Sequence, residues 1–187
     1  MTWIVLAVVA ALLLAAIAIF NTLIRQRNIV REGWSGIDVQ LRRRTDLVPN
    51  LVESVKGYAA HERNVLDEVT QKRASSIAAD TVQGQAAAEK DLQGSLRKLF
   101  AVAEAYPQLK ANENFLKLQS QLAEIEDEIQ MARRYYNGAV RNLNISIESF
   151  PGVLVARAFG FREEPFFELE DRTQAAAPQV TFPGGKP

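Results

Sequence analysis

The hydrophobic positions of this chain change their period along its length. Residues 1–24, MTWIVLAVVAALLLAAIAIFNTLI, carry no ionisable side chain, and every residue from Trp3 to Phe20 is apolar. As a helix rising 1.5 Å per residue, that run measures about 27 Å, close to the ~30 Å hydrocarbon core of a bilayer. Lipid offers no partner for a backbone amide, so a single span has to be helical. Trp3, Leu6, Ala7, Ala11, Leu14, Ala15 and Phe20 are therefore expected to form a membrane anchor, with the Trp3 indole near a headgroup zone. Ala7, Ala11 and Ala15 recur every fourth residue, a spacing that lets two such helices approach closely, although alanine is common in any membrane helix.

Beyond residue 24 the period becomes that of an amphipathic helix. Val30, Trp34, Ile37 and Leu41 fall on one side of a 3.6-residue helix, which continues the anchor; Gly33 and Gly36 weaken it locally and suggest a bend. Pro49 predicts a break, because its ring disfavours helical backbone at Val48, and a second helix is expected from Leu47–Pro49 to about Ala79. Asp80 to Gln85 reads as a loop or as a flexible joint in a continuing helix, Leu92, Leu96, Leu99, Phe100 and Ala103 mark a third helix, and Pro107 stops it. The longest signal follows: Phe115, Leu118, Leu122, Ile125, Ile129, Ala132, Tyr136, Ala139 and Leu143 alternate steps of three and four, a heptad seam on a helix from Asn112 to about Ile147. Such a rod needs other rods beside it. The expected fold is all-α: an N-terminal single transmembrane helix, residues 1–24, leading into an elongated antiparallel long-helix bundle, residues 25–171, with a disordered tail at 172–187.

Pro151 and Gly152 end the rod. The segment FPGVLVARAFGFREEPFFELE then holds five of the nine phenylalanines, Phe150, Phe159, Phe161, Phe166 and Phe167. That much aromatic surface must dock, on the bundle's own end, on a neighbouring subunit or on lipid, and these five are the candidate interface.

Charge sets the expected topology. Arg25, Arg27 and Arg31 follow the apolar run at once, and no Lys or Arg precedes it. This distribution places the bundle in the cytoplasm and the amino terminus outside, on a single pass through the membrane. A cleaved signal has the reverse polarity and a shorter apolar stretch, so the leader is expected to stay despite the small residues Ala16 and Ala18. Overall, 22 basic residues balance 22 acidic ones, which gives no global field to gather nucleic acid.

Candidate chemistry is sparse. The chain has no cysteine and one histidine, so thiolate metal sites, disulfides and most acid–base constellations lack their parts. His61, placed on the second helix, reads as an ordinary polar or interfacial residue, and the position three before it is Tyr58, unlike a di-iron Glu-x-x-His pair. Glu124 and Glu128 share a helix face among Glu124, Glu126, Asp127 and Glu128, but paired acids on a long helix are ordinarily a solvated stripe. The triplet Arg42 to Arg44 stands up to ~30 Å from the membrane along a straight helix, within lipid reach only if the helix bends and otherwise free to pair with acids on a neighbouring helix. No catalytic residue, metal ligand or cofactor-binding residue is assigned.

Four stretches together resemble the LemA family of bacterial membrane-anchored helical proteins: WSGIDVQLRRRTDLVPNLVESVKGYAAHE (34–62), AVAEAYPQLKANENFLKLQSQL (101–122), ARRYYNGAVRNLNISIESFP (132–151) and FGFREEPFFE (159–168). The resemblance covers about Phe20 to Glu168. It implies one anchor and a long-helix bundle, and it brings no catalytic residue, substrate or cofactor. The expected role is that of a non-enzymatic structural or interaction protein with the lipid bilayer as partner. It would self-assemble into a homo-oligomer through its long helices, or alternatively act as a membrane-surface or envelope-stress sensor that meets lipid or other membrane proteins through residues 150–168.

Overall fold

A computed structural model describes residues 1–168; the tail expected at 172–187 lies outside the described residues. Six helices follow one another: α1 (Thr2–Lys56), α2 (Arg63–Ala78), α3 (Val82–Ala103), α4 (Pro107–Lys110), α5 (Glu113–Glu148) and α6 (Gly152–Phe159). Among the described residues there is no strand, and the all-α bundle is the fold. The apolar run and the first bundle helix form one continuous 55-residue helix, about 80 Å long. It is the one helix among the described residues long and apolar enough to cross a membrane. Among the described residues nothing packs on Thr2 to Ala15, and contact with the bundle begins at Ala16, Ile19 and Phe20.

The heptad seam of α5 is met from within the chain. Gly33 of α1 lies under Tyr136 and Arg44 under Glu126, so the two long helices run antiparallel. A Cβ at position 33 would come within 3.1 Å of the Tyr136 Cα and 3.2 Å of the Tyr135 ring. Gly33 therefore serves close helix approach, and α1 is continuous through both Gly33 and Gly36. Asn112 starts α5 as expected, its side-chain oxygen accepting from the Phe115 N–H at 3.0 Å.

Pro49 does not break α1, contrary to the expectation of a new helix there. Proline removes the donor that the carbonyl four residues earlier would use, and that carbonyl belongs to Thr45. Arg73, reaching across from α2, donates its Nε–H to the Thr45 carbonyl at 2.7 Å. Val48, Leu51 and Val55, all buried, hold the helix on course past the proline. The turn comes instead at residues 57–62, which places His61 exposed in that turn and not on a helix. Pro107 does not simply end α3: α3 stops at Ala103, and Pro107 opens the short α4.

Two hydrophobic clusters are stacked along the bundle. The one nearer the anchor is built from α1 residues Leu23 to Leu41, the α5 residues from Ile125 onward, α6 and Phe167; the distal one takes Val48 to Val55, α2, α3, Leu109, Phe115 and Leu122. Between them lies a polar layer. Arg44, 3% exposed, donates to Glu89 on α3 at 3.0 Å and to Glu126 on α5, while Ser76 and Gln85 also donate to Glu89. Arg44 is thus the member of the basic triplet that finds acids on neighbouring helices; Arg42 pairs with Asp38 on its own helix. Glu126 is drawn inward and accepts also from Gln130, whereas Glu124 and Glu128 stay exposed.

Glu89 is fully buried, so removing its cation leaves an uncompensated charge. Arg44→Met is expected to cost about 3–5 kcal/mol. In a domain of this size that lowers the melting temperature by about 10 °C. Arg44→Met combined with Glu89→Gln should recover part of the loss, and circular dichroism melts of the three proteins in detergent measure the difference.

Candidate membrane-contact site at the base of the bundle

The base of the bundle is assembled where the apolar run ends. A turn after Glu148 returns the chain toward α1, and Gly152 makes it possible: a Cβ there would sit 2.2 Å from the Ser146 carbonyl oxygen, a distance no side chain tolerates. Helix α6 then presents Val155 and Ala156 to the core. Gly160 closes it in the left-handed conformation (φ 71°), with the Phe161 N–H reaching back to the Ala156 carbonyl at 2.9 Å.

Residues 161–168 have no secondary structure, yet their backbone is held by two asparagines of α5. Asn144 donates to the Glu164 carbonyl and accepts from the Glu164 N–H, both at 2.9 Å. Asn137 does the same with Phe167, at 3.1 and 2.9 Å. Between these clamps the Tyr136 hydroxyl donates to the Pro165 carbonyl at 2.8 Å. Positions 137 and 144 are seven apart and immediately follow the seam residues Tyr136 and Leu143, so they lie on one helix face two turns apart. That repeat was the available signal, and hydrophobic periodicity alone does not register it.

The five phenylalanines separate. Phe167 is fully buried, its ring 5.8 Å from Trp34. Phe161 packs 5.8 Å from Phe20 and lies under the Arg27 guanidinium at 5.2 Å. Phe159 touches Phe20 at 4.8 Å between ring centres but is 64% exposed. Phe150 is 80% exposed, and Phe166 is exposed on the bundle's side. Phe150 and Phe159 thus form an apolar foot at the level of Ala18 to Phe20 on α1, and Leu154, between them in the chain, is exposed on α6. Of the basic residues after the span, Arg25 and Arg31 are exposed and Arg27 is engaged with Phe161. Trp3, Leu6, Ala7, Ala11, Leu14 and Ala15 are exposed, and no described residue packs on them. Among the described residues no three His, Asp or Glu side chains gather as a metal site would need.

The LemA family model matches residues 33–182. Magnetosome proteins MamQ 1 and MamQ 2 of Paramagnetospirillum magneticum are each 26% identical to this chain over 190 residues, covering 88% of it and 68% of their own length. Protein LemA of Metamycoplasma hominis is 28% identical over 155 residues, 81% of this chain and 69% of that protein. None of these names states a reaction.

Burial raises the Tyr136 pKa to about 12, with the Glu164 carboxylate adding to the shift. A tyrosine pKa raised above its unfolded value near 10 contributes stability that is intact below pH 10 and lost as pH climbs toward 12. Alkaline unfolding, followed by near-ultraviolet circular dichroism, is expected to set in within that window. Tyr136→Phe should weaken its pH dependence while costing about 1 kcal/mol at neutral pH for the lost Pro165 bond.

Proposed function

The chain belongs to the LemA family, and from that premise and the geometry of its base we propose that it is a single-pass, membrane-anchored structural protein. Its bundle is braced on the cytoplasmic leaflet of the inner membrane by the aromatic foot. The observation that carries this reading is the contact of Phe159 with Phe20: a residue at the end of the apolar run is packed against a segment whose Phe150, Leu154 and Phe159 remain uncovered. An isolated apolar patch on a soluble surface is a liability, but here it lies where the anchor enters lipid. Exposed Arg157 and Arg162 stand beside the foot, suited to anionic headgroups. The cytoplasmic side follows from Arg25, Arg27 and Arg31.

This reading favours the lipid-facing role of the Phe-rich segment over assembly through the α5 seam, because α1, α3 and the chain's own C-terminal segment already cover that seam. A second copy has the Ala7, Ala11 and Ala15 face of the anchor open to it, which makes self-association through the span the second reading.

The absence of cysteine makes single-site labelling direct. A Leu154→Cys variant carrying an NBD dye, reconstituted in vesicles, should be quenched by doxyl-labelled lipid, whereas the same dye on Ser75→Cys should not; equal behaviour at the two sites overturns the foot. In intact cells Ser75→Cys should resist a membrane-impermeant maleimide, and ready labelling reverses the orientation.

A further inference from the structure

Two clefts open between α1 and the end of α5, one above the other and sharing Thr22 and Ser146. The lower, about 310 Å³, is walled mainly by Ala18, Ile19, Leu23 and Phe150, with Ser149 also on its wall. The upper, about 450 Å³, is walled by Arg25, Gln26, Asn142 and the apolar Ile29 and Ile145. The polarity of the walls changes over the distance from Ala18 to Gln26, about 12 Å along the helix. That is the interval in which the apolar run gives way to the first charge of the chain. Acyl chain and headgroup meet at the same depth in a leaflet.

Two further observations point to an occupant of the upper cleft. Arg25 is exposed and, among the described residues, has no acidic partner. The Gln26 Oε1, by contrast, is buried and accepts no hydrogen bond among the described residues. The neighbouring Arg27 Nε is likewise buried without an acceptor, and a ligand that brings a hydroxyl or ammonium would satisfy Gln26 once its side chain turns into the cleft. A cation beside an unfilled acceptor matches a phosphodiester carrying a hydroxylated or amino headgroup, and the apolar cleft beneath matches the chain attached to it.

We propose that this paired cleft holds one anionic glycerophospholipid. Arg25 binds its phosphate, Gln26 accepts from the headgroup, and one acyl chain lies along Ala18, Ile19 and Phe150. The proposal rests on the reading that the base meets the leaflet, and it adds a stoichiometric, headgroup-selective site to what would otherwise be a general apolar contact.

The test uses the full-length protein in mild detergent, examined by native mass spectrometry with added dioleoylphosphatidylglycerol, dioleoylphosphatidylcholine or glycerol phosphate. One phosphatidylglycerol per chain should persist, with phosphatidylcholine retained much less and glycerol phosphate not displacing the lipid. Arg25→Gln should reduce phosphatidylglycerol affinity about tenfold, the loss of one charge-assisted contact. Ile19→Trp, which fills the lower cleft, should reduce binding of both lipids. Equal retention of the two lipids, unchanged binding by Arg25→Gln, or displacement by glycerol phosphate would each overturn the site. Quenching of the dye at Leu154→Cys reports the foot separately: its persistence in Arg25→Gln isolates failure of this site from failure of the foot.

Discussion

Because α1 runs unbroken from the apolar run to Lys56, the register of α5 against it decides the height of every other element above the anchor. Two kinds of contact hold that register. Gly33 admits Tyr136 so closely that a larger residue at 33 would separate the helices. Arg44 must meet both Glu89 and Glu126, and a slip of one helical turn, about 5.4 Å, would leave fully buried Glu89 without its cation. Apolar side chains are less exacting, since swaps of similar volume cost less than about 1.5 kcal/mol. The ionic layer does not tolerate such a slip, and it lies between the two hydrophobic clusters, where neither could fix the other's alignment.

From that register the base follows. With Tyr136 opposite Gly33, the end of α5 lies level with residues 18–26 of α1, and the chain that leaves α5 emerges there. The asparagine clamps carry the last described residues back along α5, so that Phe167 enters the core beside Trp34 while Phe150 and Phe159 remain at the base. Segment 150–168 therefore does two jobs that its composition does not separate. Part of it closes the proximal cluster, and part of it faces the place where the anchor leaves the bundle. The reading of the protein as a braced, membrane-anchored strut depends on this division.

Most of the architecture was legible in the hydrophobic pattern. The long apolar run, the seam of α5 with its Asn112 cap, the break before α3 and the need for the aromatic segment to dock all follow from local periodicity and capping chemistry. The misread points share a cause. Pro49 carries a local penalty of about 3 kcal/mol, and a residue 24 positions further along the chain supplies the donor that helps α1 absorb it. His61 falls in the turn at 57–62 because α1 runs on past Pro49 to Lys56. At the base, the five phenylalanines could be flagged as interfacial, but which of them face outward was not readable.

The amino-acid sequence alone determined what is additive along the chain: an apolar length matched to a bilayer, basic residues at its end, helices where the period is 3.6, and membership of a family through ordered motifs. Only the folded chain decided what depends on pairs of distant residues. These were the acids that Arg44 meets, the carbonyl that Arg73 satisfies, the backbone that Asn137 and Asn144 hold, and the clefts beside Arg25 and Gln26. The physical reason is that helix formation and transfer to lipid act residue by residue over short windows, whereas buried polar partnership is set by three-dimensional register, which no short window contains.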